Sequence, residues 1–185
     1  MNGLCPRFAV FVHRFGEATD SVQFNNCSRF RKILLRSMYY ILRYLSIVSC
    51  KIFFQEGSVI GKNIRLSNKG NIIIGVDKIG DNCVIHHNVT FGLHLTDNES
   101  FKGNPRVGNQ VWIGPDTIIH GNIKIGDGAT ILAGTVLTKT IPDHCVVGGN
   151  PAKLVCRDFD NSVLLDSSRH DVSSQTIKDW TIKDV

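Results

Sequence analysis

Five histidines, His86, His87, His94, His120 and His144, lie in the middle of a 185-residue chain. Imidazole is the side chain whose ordinary pKa falls nearest neutral pH, so each can act as a general base. His86 and His87 are adjacent. His94 stands near the start of a polar stretch, residues 93–106, where Asp97 or Glu99 could fix its tautomer. Six cysteines (Cys5, Cys27, Cys50, Cys83, Cys145 and Cys156) are far apart and form no C-x-x-C pair. They read as buried free thiols in a reducing cytoplasm, and no metal centre is expected.

A six-residue beat must position these groups. It is clearest from Val107 to Pro142, with units starting at Val107, Ile113, Ile119, Ile125, Ile131 and Leu137. Each opens with an aliphatic residue, often followed by Gly. Hexapeptide periodicity predicts a β-helix with three short strands per turn, aliphatic residues inward and Gly or Asn at the corners. Residues 18 apart then stack at the strand spacing of roughly 4.8 Å. A β-sandwich would need period-2 alternation instead. Earlier units start at Ile60, Leu66, Ile72, Ile79, Ile85 and Phe91, with one extra residue expected near Gly75. Ten residues are inserted between Phe91 and Val107. The resulting loop, residues 93–106, is where function is expected. The same count stacks Ile85 over Leu66, and hence His87 over Asn68.

The chain divides into an N-terminal, mostly helical segment (1–53), the β-helix (54–155) and a C-terminal tail (156–185). Residues 1–24 carry no assignable pattern. Residues 27–50 read as a helix, with Ser28 as a candidate cap. Arg36 and Arg43 interrupt its apolar run and argue against a span. Two readings stay open: it packs on the coil or a neighbouring subunit, or it rests peripherally on an anionic membrane. Residues 143–155 read as a cap over the coil's open end. The tail is polar and either packs loosely or forms a short helix anchored by Trp180 and Ile182. The first residues lack the apolar core of a signal peptide. A cytoplasmic protein is expected, with the inner membrane face left open. The net charge of +5 suits anionic small molecules or a membrane surface. The repeat holds no Lys/Arg run interleaved with aromatics, which argues against nucleic acid.

The run Ile79-Gly-Asp-Asn-Cys-Val-Ile-His-His-Asn-Val-Thr-Phe-Gly, the stretch Val111-Trp112-Ile113-Gly114 and the ending Gly148-Gly-Asn-Pro-Ala-Lys resemble the hexapeptide-repeat acyltransferases. The resemblance covers residues 54–155. It implies a left-handed parallel β-helix, a homotrimer, and acetyl-CoA bound between neighbouring coils. Serine acetyltransferases resemble the segment from Leu66 to Gly92. The galactoside, maltose, virginiamycin and polysaccharide O-acetyltransferases resemble Val111–Gly114 and Thr138-Lys139.

Acetyl transfer to a hydroxyl needs a base for the proton and N–H donors for the oxyanion. The catalytic histidine of the serine acetyltransferases falls on Asn68 here, and their second active-site histidine on Asn104. Asparagine is no base. Asn68 and Asn104 are therefore expected to bind substrate. His87, one coil above Asn68, is a candidate base. So is His94, since the galactoside-type catalytic histidine lies in a loop leaving the coil at this point. His86 and His120 read as surface residues. Trp112 borders the site in the galactoside-type enzymes and is expected to touch substrate or pantetheine. Ala133, Gly134, Thr138, Lys139 and Lys153 are the expected acetyl-CoA contacts, with Arg157 as a further phosphate candidate. The resemblance implies an acetyl-CoA-dependent O-acetyltransferase acting on a sugar hydroxyl in surface-polysaccharide assembly. Serine O-acetylation or aminosugar N-acetylation is the alternative, and a catalytically silent scaffold is the alternative of another class.

Overall fold

The computed structural model describes residues 4–20, 29–67, 69–92 and 103–167. Its core is the parallel β-helix that the six-residue beat predicts, the solenoid that the family resemblance implies to be left-handed. The first turn is β1 (Ile52–Phe54), β2 (Val59–Ile60) and β3 (Arg65–Leu66); the second is β4 (Ile72–Ile74), β5 (Lys78–Ile79) and β6 (Val84–Ile85). The third is β7 (Val89–Phe91), β8 (Arg106–Val107) and β9 (Trp112–Ile113); the fourth is β10 (Ile118–Ile119), β11 (Lys124–Ile125) and β12 (Thr130–Ile131). A partial fifth turn holds β13 (Val136–Leu137) and β14 (Val146–Gly148), its middle side reduced to a bridge between Ile125 and Ile141. Corresponding strands of successive turns pair in parallel and build three flat sheets.

The aliphatic residue of each hexad explains the stack. Leu66, Ile85, Ile113, Ile131 and Val147 are in register and no more than 1% exposed. Burying each such side chain contributes about 1.5–3 kcal/mol. Polar corner residues tie the turns together. At the corner leaving the second sheet, Asp81 Oδ1 accepts from Lys62 N at 2.7 Å, and Asn109 Oδ1 from Asp81 N at 2.9 Å. Asp127 Oδ1 then accepts from Asn109 N at 2.6 Å, and Asp143 Oδ1 from Asp127 N at 2.9 Å. Backbone donors that the corner withdraws from the sheets are thus satisfied by the turn above.

The irregularity in the beat lies elsewhere than expected. Leu66 pairs with Ile85 as counted, but Ile72 pairs with Val89. The extra length therefore sits in the corner between β3 and β4, not near Gly75. That corner is two residues longer than the one above it, while the next corner, from Ile74 to Ile79, is one residue tighter than the corresponding Ile119-to-Ile125 segment. Both Ile72 and Ile74 point inward and are fully buried, so β4 uses two core residues where most strands use one.

The coil ends are covered differently. Helix α1 (Leu4–Asp20), which the sequence pattern did not reveal, turns Pro6, Ala9, Val12, His13 and Gly16 inward. His13 Nε2 donates to Ser58 O at 2.7 Å and its ring stacks on Phe54. Arg14 donates to Gly61 O at 2.8 Å. Helix α2 (Arg29–Cys50) agrees with the helix expected over 27–50, and its candidate cap Ser28 lies outside the described residues. α2 is fastened by Arg43, which pairs with Glu56, lies over the Phe53 ring and reaches Phe54 O. At the far end β15 (Lys153–Cys156) turns back antiparallel on β14 and closes the third sheet. Residues 159–161 then return along the coil. Phe159 N donates to His144 O, and buried Asn161 donates to Gln110 O at 2.8 Å. Hydrogen bonds hold this polar segment where no apolar face exists. It leads into α3 (Ser162–Ser167). Trp180 and Ile182 lie outside the described residues.

Candidate active site

The corner leaving the third sheet brings together His87, Ala133 and Gly134. In register, His87 is followed by Pro115, Ala133 and Gly149 on successive turns. Asp116 N donates to His87 O, Gly134 N to Pro115 O, and Val136 N to Gly149 O. The flanking column runs Ser67, His86, Gly114, Leu132 and Gly148. Small residues dominate the upper part of these columns: Gly114, Ala133, Gly148 and Gly149. A side chain at Gly134 would meet nothing within 4 Å. Lys153 pairs with Gly148 beyond the top of these columns. Four strand spacings separate it from His86, roughly 19 Å.

His86 departs from the surface role expected of it. It is half-buried, and its ring lies 4.7 Å from that of Trp112. Trp112 is half-buried on the outer face of β9. His86 Nδ1 is 2.9 Å from Ile113 O. A carbonyl only accepts, so Nδ1 carries the proton, and in the neutral ring Nε2 keeps its lone pair. Burial holds this imidazole below its ordinary pKa, opposed by the Ile113 carbonyl and aided by the nearby His87. His86 is thus a neutral base with a fixed tautomer. The available signal was its place directly before a corner and one coil below Gly114, beside the only tryptophan in the repeat.

The shift has a measurable sign. As pH falls below the ordinary value of 6.5, the unfolded chain takes up a proton at His86 before the folded one does. Stability contributed by neutral His86 is intact above that pH and declines below it. Urea midpoints on either side of pH 6.5 are expected to drop less for His86→Gln than for the parent. Equal drops would refute this account.

His87 is half-exposed on the outer column. Gly70, in the lengthened corner, packs beneath it: a Cβ built there would lie 3.0 Å from His87 Cβ. Asn68, expected from the count to lie one turn below His87, is outside the described residues, as is His94. The other candidates are not brought to this corner. Asn104 is half-buried at the corner leaving the first sheet, where Gly103 abuts Asn122. Exposed Thr138 and Lys139 share that corner, as does half-buried His120. Ala133 and Thr138 are five residues apart across β13, roughly 15 Å of extended chain. A small acyl group cannot touch both corners of one copy.

A cavity of about 230 Å³ opens at the base of the coil, between α1 and the free edge of β3. Arg7, Arg14 and Arg65 line it over an apolar floor of Val10, Ile64 and Leu66, and no carboxylate does.

This solenoid, with one buried aliphatic residue per hexad, defines a hexapeptide-repeat protein. The family model described as bacterial transferase hexapeptide (six repeats) matches residues 104–139. Galactoside O-acetyltransferase of Escherichia coli is 31% identical over 136 residues, covering 68% of this chain and 67% of that enzyme. The chain belongs to the hexapeptide-repeat transferase family. Serine acetyltransferase 4 of Arabidopsis thaliana is 42% identical over 97 residues, 52% of this chain and 27% of that one. The soybean serine acetyltransferase apoenzyme superposes with a TM-score of 0.66 at 26% identity, covering 83% of this chain and 58% of its own. The chain thus spans about a quarter of the Arabidopsis relative's length and under two thirds of the soybean structure.

Proposed function

We propose that the protein transfers an acetyl group from acetyl-CoA to a hydroxyl. The observation that carries this is the His86–His87 pair at the foot of the small-residue columns that rise toward Lys153, read here as the groove for the cofactor. In this reading the pantetheine arm lies along Ala133 and Gly134, and Lys153 meets a phosphate. His87, on the outer column, takes the hydroxyl proton, and backbone N–H groups of the corner hold the oxyanion. His94 is the remaining candidate base. Thr138, Lys139 and Asn104 would enter the site from a neighbouring copy, which makes a homotrimer part of the proposal. Trp112 and Asn68 would contact the acceptor. A reducing cytoplasm belongs to the same reading, since the five described cysteines are all free.

For the acceptor, the relatives favour serine: serine acetyltransferases recur among them, and the soybean enzyme has been solved with serine bound. A sugar hydroxyl is the second reading. It is supported by the galactoside relative and by asparagine at positions 68 and 104, where the serine enzymes carry histidine. The deciding experiment measures thiol release from acetyl-CoA with serine, galactosides, aminosugars and oligosaccharides in turn. Release with one acceptor class assigns the substrate. No release with any acceptor, together with no heat of CoA binding by calorimetry, would leave the scaffold reading standing.

A further inference from the structure

We infer that the outward face of α2 docks on an anionic phospholipid surface and holds the coil beside a membrane. α2 has two faces. Tyr39, Arg43, Ser46 and Cys50 recur at helical spacing on the side toward α1 and β1, and Ser46 and Cys50 are buried there. On the opposite side Phe30, Leu34, Met38, Ile41, Leu45 and Val48 form a stripe along the whole helix. Phe30 is 77% exposed, Leu34 59%, Ile41 61% and Val48 58%. At 3.6 residues per turn the exposed arc is about 140° wide and holds no charged residue. Only 11% of the window Ile33–Cys50 is buried, and by length and composition it could cross a bilayer. The docked face argues for lying flat instead. A span would strip Arg43 from Glu56 and Phe54 O, and Ser46 and Cys50 from the coil.

Charge selects the occupant. Between Asp20 and Glu56 the sequence has no acidic residue, but it has Arg29, Arg31, Lys32, Arg36, Arg43 and Lys51. Exposed Arg31 sits at the border of the apolar stripe, and exposed Arg36 lies further round the helix, next to Arg43. Two copies meeting through this face would bring like charges together. A bilayer bearing anionic headgroups accepts the apolar arc in its interface and neutralises the cations at the border. The tyrosines Tyr40 and Tyr44, 55% and 68% exposed, suit the headgroup level. This inference stands whether or not the chain transfers acetyl groups.

The full chain is floated with phosphatidylcholine vesicles, with and without phosphatidylglycerol, and its mass is followed by light scattering. The parent is expected to float with the anionic vesicles and about tenfold less with neutral ones or at high salt. Leu34→Asp with Ile41→Asp is expected to abolish flotation without changing mass or circular dichroism. Arg31→Glu with Arg36→Glu, which leaves the apolar stripe intact, is expected to weaken it strongly. A parent chain that stays with neither vesicle overturns the inference. So does a Leu34/Ile41 variant that drops in mass while flotation is unchanged, since a second copy would then be the occupant.

Discussion

Replacing His87 with alanine is expected to lower kcat for acetyl transfer by about 10²–10⁴-fold, the range general-base catalysis supplies. KM for acetyl-CoA should hardly change, because the groove above His87 is built by Pro115, Ala133, Gly134 and Gly149. His86→Ala provides the contrast. Its tautomer is fixed by Ile113 O, which leaves the Nε2 lone pair as its basic site. If His86 only orients its neighbour, its loss should be smaller than that of His87→Ala. A base must be neutral to act, so parental kcat rises with pH until the base has lost its proton, and the variant lacking the base loses that limb. Retention of activity within about threefold by both single variants would remove this pair from the mechanism and leave His94 to be tested.

Gly92→Ala is expected to be the most damaging single-methyl change at the loop mouth. Gly92 holds φ at +73°, and a Cβ there would lie 1.9 Å from Gly75 O. The neighbour is backbone, so the two turns must separate at the start of the inserted segment. A loss of about 2–4 kcal/mol in unfolding free energy is expected. Gly134→Ala isolates the conformational part of that cost. Its φ is +66°, but nothing lies within 4 Å of the added methyl, so about 1–2 kcal/mol is expected. Chemical denaturation of both variants checks the difference; equal losses would show that the Gly75–Gly92 approach carries no strain.

The solenoid was legible because a single rule, one inward aliphatic residue per hexad, is repeated without tertiary compromise. Ile113, Ile119, Ile125 and Ile131 are all fully buried. Register followed from counting, which is why the Leu66–Ile85 pairing emerged from the sequence. The count could not tell which corner absorbs a surplus residue, because Gly70 and Gly75 both permit one; pairing of Ile72 with Val89 decides it. α1 was missed because its apolar face is interrupted by Pro6, His13 and Gly16. Each is buried for a local reason: a first-turn proline, a hydrogen bond to Ser58 O, and close packing on Tyr39. Of the candidate site, the place of His87 in the stack was legible and the surroundings of His86 were not. Its environment depends on Trp112 and Ile113, which are distant in sequence and become neighbours only through the coil.

The inserted segment also bears on how the coil assembles. Most rungs join residues 16 to 19 positions apart, such as Leu66 with Ile85 and Ile113 with Ile131. Such a stack can zip up turn by turn from any point. Ile85 and Ile113 must meet across 28 positions. Closing the longer loop costs only about 0.4 kcal/mol more, but it is the step that joins the lower and upper stacks. His86, Ile113 and Trp112 straddle that seam. His86 meets Ile113 and Trp112 only when the lower and upper stacks fuse, so the lower half alone does not build the surroundings of this imidazole.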